Sequence, residues 1–219
     1  MPQSAYDVYQ NSGLGTVSQR KVVQNNPDNL PMGFLPSDFG LLGWSVDPMD
    51  FSSNTQAIVS GTQYFVRLSN QCNLNSGNNN AVAKVGLYIG GTAAATPGAY
   101  SGLAVYSYVP GAANMTLLGS TGADDGAAWV TSGANKYFEA ALTAAVGSSP
   151  GLLYGSFIAT FTTTPTLPVS AVSVNTLNIK GKSLSQVLTL AAQTSFTASP
   201  AVAGMSAGTF CPMMGIAAS

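Results

Sequence analysis

The chain has 219 residues, of which 46% are hydrophobic and 7% are charged, and its formal net charge is −1. The sequence has no basic stripe, which argues against nucleic-acid binding, because that function needs a strong positive field to neutralise phosphates. Typical soluble domains carry about 25% charged residues, so the polar surface here must come from Ser, Thr, Asn and Gln. Such a surface packs readily against copies of itself, because little charge has to be desolvated.

The N-terminal sequence MPQSAYDVYQNSGLG has neither the positive segment nor the apolar segment of a secretory signal peptide. No run approaches the ~20 apolar residues that a membrane-spanning helix requires. We therefore expect a protein that is made and folded in a cytosol, without its own export signal and without a membrane span. The length is sufficient for one large β-domain with a substantial core.

Residues 1–37 form the first predicted region, which is polar and rich in turn residues. Asn, Pro and Asp cluster at residues 25–29 (NNPDN), and no helical or alternating period is sustained. A segment of this composition cannot bury a core alone and becomes ordered by lying on a neighbour. We predict an extended N-terminal arm, which is either a docking peptide or a frayed terminus.

From Gly40 onward, short runs alternate apolar and polar residues with a period of two. These runs cover residues 61–68, 83–89, 100–109, 115–119, 127–131, 137–142 and 152–161. Gly, Pro and Asn mark turns between the runs at a spacing of about 8–12 residues. The pattern predicts an all-β protein with an antiparallel β-sandwich over residues 38–219. A count of about eight strands favours a jelly roll over an immunoglobulin-like fold.

The alternation also predicts which side chains face the core. The residues expected on the apolar faces of these runs are Tyr64, Val66, Leu68, Val85, Leu87, Ile89, Leu103, Val105, Ser107 and Val109. Tyr106 and Tyr108 fall on the face opposite Leu103 and Val105. Residues 183–193 (SLSQVLTLAAQ) fit either a short helix or a strand, and their Thr- and Ser-rich surroundings favour a strand. A last apolar strand is expected near residues 209–214.

The residues that enzymes use most for acid–base chemistry are scarce. The chain has no histidine, which removes Ser-His-Asp and Cys-His arrangements and His-ligated zinc. Glu139 is the only glutamate and lies in an alternating run, where an exposed strand position is expected. Two acidic pairs, Asp47 with Asp50 and Asp124 with Asp125, fit turns better than calcium sites or glycoside hydrolysis. We predict no enzymatic activity, no catalytic residues, no cofactor and no metal.

The two cysteines, Cys72 and Cys211, are far apart in the sequence. No C-x-x-C spacing is present that would suggest metal binding or redox chemistry. Because no secretory signal is seen, two free reduced thiols are expected rather than a disulfide.

Aromatic residues are the main candidates for ligand or subunit contact. Trp44 and Trp129 are suited either to filling the sandwich core or to stacking on sugars, and we favour the core. Tyr88, Tyr106 and Tyr108 are predicted to lie on strand faces opposite the core. They are therefore the candidate residues for contact with a ligand or with another subunit, and simple exposure of Tyr106 and Tyr108 to solvent is the alternative.

Short motifs occur at residues 36–50, 66–68, 87–106 and 117–129, and together they resemble a family of actinobacteriophage virion proteins, usually called minor tail proteins. The opening PSDFGLLGWSVDPMD at residues 36–50 is similar to the family phrase P-x-D-x-G-L-x-x-W-x-x-D-P, although family members often have His where this chain has Phe39. The sequence Val66-Arg67-Leu68 is similar to the end of a family strand. Residues 87–106 and 117–129 are similar to the segments L-Y-x-G-x-x-x-x-T-P-G-x-x-x-G-L-x-x-Y and L-L-G-S-T-x-x-x-x-x-x-W. The resemblance extends over roughly residues 36–200.

This resemblance implies a jelly roll, assembled as a homotrimer, on the exterior of a virion, and it does not imply catalysis. We therefore expect a structural protein of a bacteriophage tail tip or baseplate, assembled in the host cytoplasm and bound to other phage proteins through its N-terminal arm. A capsid decoration or head-fibre protein needs the same physical features. A carbohydrate-binding module that recognises host cell-wall polysaccharide is a further alternative.

Overall fold

A computed structural model describes residues 36–46, 51–70, 81–90, 97–122, 136–147, 151–161, 166–170, 176–179 and 182–218. All of them belong to one unit of the chain, Leu35–Ser219. The predicted arm, residues 1–37, lies outside the described residues except for Pro36 and Ser37. Among the described residues, no helix is long and apolar enough to cross a membrane.

Strands make up most of the described chain. They are β1 (Leu41–Trp44), β2 (Phe51–Ala57), β3 (Gln63–Arg67), β4 (Ser69–Asn70), β5 (Val82–Ile89), β6 (Pro97–Tyr108), β7 (Thr116–Ser120), β8 (Lys136–Val146), β9 (Leu152–Phe161), β10 (Thr166–Ser170), β11 (Thr176–Ile179), β12 (Lys182–Ser185), β13 (Val187–Leu190), β14 (Ser206–Ala207) and β15 (Met214–Ala217). Single 3-10 turns occur at Pro36–Phe39 and Val202–Gly204. The expectation of an all-β protein is confirmed.

Two antiparallel sheets form the body of the unit. The five-stranded sheet has the order β4-β1-β15-β5-β8, and the six-stranded sheet has the order β14-β13-β3-β9-β6-β7. Two smaller ladders, β2 with β10 and β11 with β12, stand beside them. Neighbouring strands in both sheets are often distant in sequence, so the packing is set by long-range pairing rather than by simple hairpins.

The main core lies between the two sheets, as the alternation predicts. Val85, Leu87 and Ile89 of β5 are fully buried from one side, and Leu103 and Val105 of β6 are fully buried from the other. Of the ten residues expected on these apolar faces, eight belong to this core, and Ser107 is buried. The expectation is wrong for Val109, which follows the end of β6 and is 50% exposed. A Cβ atom placed on Gly155 of β9 would lie 3.1 Å from the side chain of Met214 in β15, which shows how closely the sheets approach.

A second apolar cluster lies on the outer face of the six-stranded sheet. Its fully or almost fully buried members are Phe65, Ala104, Tyr106, Tyr108, Met115 and Tyr154. Residues 193–205, which we name the covering segment, supply Phe196, Val202 and Met205 above this cluster. The segment also accepts backbone hydrogen bonds beside β7, from Met115 N–H to the carbonyl of Pro200 at 3.1 Å and from Leu117 N–H to the carbonyl of Ala198 at 2.9 Å. It thus adds a third layer to the sandwich.

Several predicted elements need adjustment. Residues 183–193 do contain strands, β12 and β13, so the strand prediction is confirmed over the helix. The last strand begins at Met214 rather than near residue 209. Strands β1, β2, β10 and β11 were not expected, because their sequences lack a regular alternation. The predicted run at residues 127–131 lies outside the described residues.

Candidate functional site on the outer face of the five-stranded sheet

The three candidate tyrosines are divided between the two sheets. Tyr106 and Tyr108 lie on β6, opposite Leu103 and Val105 as predicted, but that face is also covered. Tyr106 has 0% of its surface exposed and Tyr108 has 6%. The expectation that the alternation leaves these two side chains at the surface is wrong, because the covering segment packs over them. Tyr88, on β5, is half-buried.

The hydroxyl group of Tyr106 is fully engaged beneath the covering segment. It donates a hydrogen bond to the carbonyl of Thr197 at 2.9 Å and accepts one from Nε2 of Gln63 at 3.1 Å. Nε2 of Gln63 also donates to Oγ of Ser156 at 2.9 Å, while Oε1 of this buried amide has no hydrogen-bond partner. These contacts make Tyr106 an anchor for the covering segment rather than a group that a ligand can reach.

The hydroxyl groups of the neighbouring tyrosines are also paired. Tyr108 accepts a hydrogen bond from the backbone N–H of Gly111 at 3.2 Å, and Tyr154 donates one to the carbonyl of Ser185 at 2.9 Å. Burial raises the pKa of Tyr154 to about 12, although the positive charge of Arg67 acts in the opposite direction. The tyrosines of this layer thus follow the rule that buried polar groups are hydrogen-bonded.

The outer face of the five-stranded sheet has a different character. The register of β5 and β8 places Tyr88 opposite Tyr137, Gly86 opposite Glu139, and Lys84 opposite Ala141. Because successive side chains on a strand alternate between faces, these six residues lie opposite the core-facing Val85 and Leu87. We name this surface the Tyr88–Tyr137 face. Glu139 and Ala141 are exposed there, whereas Lys84, Tyr88 and Tyr137 are half-buried.

Glycines form the floor beneath Tyr137. A Cβ atom on Gly86 would collide with Oη of Tyr137 and would lie 2.8 Å from the carbonyl oxygen of Phe138. A Cβ atom on Gly215 of β15 would also collide with Oη of Tyr137 and would lie 3.0 Å from Cδ1 of Leu41. The phenol ring therefore lies flat across β5 and β15, in space that only glycine leaves open.

In this position, the hydroxyl group of Tyr137 has no hydrogen bond that would offset the cost of its burial. Its oxygen is buried and has no hydrogen-bond partner. Burial, assisted by the negative charge of Glu139, raises the pKa of Tyr137 far above its ordinary value of 10.0. An unpaired buried hydroxyl costs about 1–3 kcal/mol, so this side chain is held by packing rather than by polar contacts.

The Tyr88–Tyr137 face offers two phenol rings for contact with a ligand or with another chain. Tyrosine side chains at register-paired positions suit stacking on a sugar ring or packing against an apolar partner. Among the six described residues that define this face, Glu139 is the one carboxylate. Within the described residues, no three His, Cys, Asp or Glu side chains are grouped to hold a metal ion. The acidic pairs Asp47 with Asp50 and Asp124 with Asp125 lie outside the described residues.

Some of the other residues singled out in the sequence lie within the described part of the chain. Trp44 is buried in the main core, as expected, whereas Trp129 and Cys72 lie outside the described residues. Glu139 is exposed on a strand, which confirms the expectation for this residue. Cys211 is a free and buried thiol, and its burial raises its pKa to about 12, although hydrogen bonds from Ser45 and Gln186 act in the opposite direction.

Comparisons with known proteins add no relative. No family model matches the chain, and no curated protein matches it.

Sequence reasoning missed Tyr137 as a member of the site. Its run, residues 137–142, was recognised as a strand, and the inward position of Phe138 would have placed Tyr137 outward. The pairing of β8 with β5, which brings Tyr137 beside Tyr88 and over Gly86, is a long-range contact that no local pattern specifies.

Proposed function

We propose that the sandwich is a jelly roll. A jelly roll contains two sheets of four strands, and with its strands lettered B to I in chain order the sheets read B-I-D-G and C-H-E-F. If β1, β3, β5, β6, β7, β8, β9 and β15 are given these letters in turn, the five-stranded sheet contains β1-β15-β5-β8, or B-I-D-G. The six-stranded sheet contains β3-β9-β6-β7, or C-H-E-F. In this assignment, strands β10–β14 are an insertion between the last two letters.

We further propose that the protein is a structural component of a bacteriophage virion, in the tail tip or baseplate. The observation that carries this proposal is the strand order just described, because the motifs at residues 36–50 and 87–106 resemble minor tail proteins for which a jelly roll is expected. The low charge of the chain also suits a subunit that packs against copies of itself, as a homotrimer, and against other virion proteins. Residues 1–37 are proposed to dock the domain onto its neighbours.

The decisive experiment is to measure the copy number of the protein in purified particles by quantitative mass spectrometry. A few copies or a few dozen copies per particle would support a tail location. Hundreds of copies would instead indicate a capsid decoration protein. Absence of the protein from purified particles would overturn the virion proposal altogether.

The docking role of the arm can be tested separately. A chain that lacks residues 1–35 is expected to keep its β-rich circular dichroism spectrum and to be absent from particles. Incorporation of this shortened chain at the wild-type copy number would exclude docking through the arm.

A carbohydrate-binding role is the second candidate, because Tyr88 lies opposite Tyr137 on the outer face of the five-stranded sheet. This role would place the protein at the host surface, with cell-wall polysaccharide as the ligand. Pull-down of the chain by purified actinobacterial cell walls would support it, provided that Tyr88→Ala abolishes binding and Tyr108→Phe, a change in the buried layer, does not. Release of reducing sugar that is lost in Glu139→Gln would instead indicate an enzyme.

A further inference from the structure

The four edges of the two main sheets are protected very unequally. The five-stranded sheet ends on one side in β4, which has only two residues, and the six-stranded sheet ends on one side in β14, which also has two. At the other edge of the six-stranded sheet, β7 is bordered by the covering segment through the carbonyls of Ala198 and Pro200. The fourth edge is β8, which is 11 residues long. Short or covered edges are the usual protection against pairing with another chain. Toward its C-terminal end, β8 is bordered by β7, where Oγ1 of Thr143 donates a hydrogen bond to the carbonyl of Ser120 at 3.0 Å. At residues 137–141, no described strand or segment borders the edge of β8.

The direction of the backbone groups on β8 follows from the register. Tyr88 N–H donates to the carbonyl of Met213 at 3.1 Å, so the peptide groups of residue 88 point toward β15. Because these directions alternate along a strand, Leu87 points toward β8 and bonds with its partner Phe138. Residues 137, 139 and 141 must then direct their N–H and C=O groups away from the sheet. No hydrogen bond from these outward groups is found within the part of the chain that the structure describes.

The charges on this side of the sheet are complementary to a second copy of themselves. Lys84 on β5 is the register partner of Ala141 on β8, so Lys84 lies one strand further from the edge of the sheet. Glu139 is exposed and lies two residues before Ala141 on β8. Neither Lys84 nor Glu139 forms an ion pair with the described residues. If two β8 strands pair antiparallel with Glu139 opposite the partner's Ala141, Glu139 faces the partner's Lys84 across about 10 Å of backbone. Side chains of Glu and Lys together span that distance over the small methyl group of Ala141.

The alternative symmetric register is less favourable. Pairing centred on Glu139 would place two glutamates directly opposite each other, and like charges in this position destabilise a sheet. The register with Glu139 opposite Ala141 is centred on Ala140 instead. It keeps residues 139 and 141 as hydrogen-bonded partners, as their outward direction requires.

We propose that the β8 edge pairs with the β8 edge of a second copy of this chain, in a two-fold antiparallel contact centred on Ala140. The five-stranded sheets of the two copies then form one continuous sheet, with two symmetric Glu139–Lys84 ion pairs on its outer face. This contact goes beyond the proposed three-fold association, because a two-fold contact joins copies that belong to different trimers. It does not depend on the proposed virion role.

Charge reversal in the full-length chain tests the partner. Lys84→Glu and Glu139→Lys are each expected to weaken two-fold association about tenfold, measured by sedimentation equilibrium, because each places like charges at both symmetric positions. The double variant should restore association to near the wild-type level, since both pairs are re-formed with opposite polarity. No two-fold species in the wild type, or a double variant as weak as the singles, would overturn the proposal.

The basic residues of the N-terminal region provide a control for a different occupant. If Arg20→Glu with Lys21→Glu abolishes association while Lys84→Glu has no effect, the edge is occupied by the arm of a neighbour, and the two-fold pairing is wrong. If the same double change leaves association intact, the arm is not the occupant and the expected result stands.

A disulfide trap tests the register. In a Cys72→Ser background, Ala140→Cys places two thiols at a non-hydrogen-bonded pair, where Cα atoms are about 4.5 Å apart and within disulfide range. Mild oxidation is expected to cross-link Ala140→Cys into dimers and to leave Ala113→Cys, an exposed control on the turn after β6, monomeric. Equal cross-linking of the two variants, or of neither, would contradict the proposed centre.

Discussion

The outer faces of the two sheets contain tyrosines in similar alternating strands, yet the structure treats them in opposite ways. On the six-stranded sheet, the hydroxyl groups of Tyr106, Tyr108 and Tyr154 are all hydrogen-bonded and the rings are buried. On the five-stranded sheet, the hydroxyl group of Tyr137 is buried without a partner, and Glu139 beside it is exposed.

The difference arises from what lies above each face. The covering segment supplies both apolar side chains and carbonyl acceptors to the six-stranded sheet, so a tyrosine there can bury its ring and satisfy its hydroxyl group. At Tyr137, glycines at positions 86 and 215 leave room for the ring but offer no side-chain acceptor. The first arrangement stabilises a layer within one chain. The second leaves a half-buried face that is available for contact with another molecule.

The largest expected difference in stability is between the loss of the Tyr106 ring and the loss of the Tyr137 ring. Tyr106→Ala should destabilise the fold by about 3–5 kcal/mol, because it removes a fully buried aromatic side chain and the anchor of the covering segment. Tyr137→Ala should cost about 1–2 kcal/mol, since the ring is only half-buried. Urea unfolding measures both changes, and faster amide exchange at Leu117, which bonds to the segment, should occur only in Tyr106→Ala. Equal losses of stability would remove the distinction between the faces.

The glycine floor should give the next effect. Gly215→Ala and Gly86→Ala are each expected to destabilise by about 1–3 kcal/mol through overpacking, whereas Gly122→Ala, with nothing within 4 Å of the added atom, should not. Combination with Tyr137→Ala should rescue Gly215→Ala more than Gly86→Ala, because Gly86 also lies close to the backbone carbonyl of Phe138. Double-mutant cycles measure the difference, and equal rescue would contradict this packing.

Removal of a hydroxyl group alone should also change the free energy of unfolding differently on the two faces. Tyr106→Phe leaves the carbonyl of Thr197 without its donor and removes one of the two acceptors of the Gln63 amide, and should cost about 1–3 kcal/mol. Tyr137→Phe removes a hydroxyl group that has no partner, so the free energy of unfolding should stay the same or rise. A clear loss of stability in Tyr137→Phe would show that this group is hydrogen-bonded in solution.

The sequence predicted individual strands better than the surfaces they form. Alternation placed Val85, Leu87 and Ile89 in the core because their strand has one fully apolar face. The same reasoning failed for Tyr106, because the segment that covers it lies about 90 residues further along the chain and has no regular pattern of its own. Tyr137 was missed for a related reason, since its position over Gly86 depends on which strand pairs with β8. A one-dimensional pattern indicates the two faces of a strand and cannot indicate what packs on each.

The smallest expected effect concerns pH and distinguishes the unpaired phenol from the rest. Burial raises the pKa of Tyr137, raises that of Tyr154 to about 12 from 10.0, and raises that of Cys211 to about 12 from 9.0. Each of these groups is held neutral by the fold. Its contribution is therefore complete below the unfolded-state pKa and is lost as pH rises toward the folded-state value. Stability should then decline above about pH 9, where the thiol begins to titrate in the unfolded chain.

Comparison of Tyr137→Phe with the wild type measures how much of this alkaline loss of stability is caused by Tyr137 on the five-stranded sheet. The variant should lose less stability than the wild type between neutral and strongly alkaline pH, because one neutral group that the fold must protect is gone. Thermal unfolding at a series of pH values, with phenolate absorbance recorded in parallel, measures both quantities. Identical alkaline declines in the two proteins would mean that Tyr137 ionises freely in the native state. The ring would then have to lie away from Gly86 and Gly215. The two outer faces would in that case differ only in that the covering segment packs on one of them.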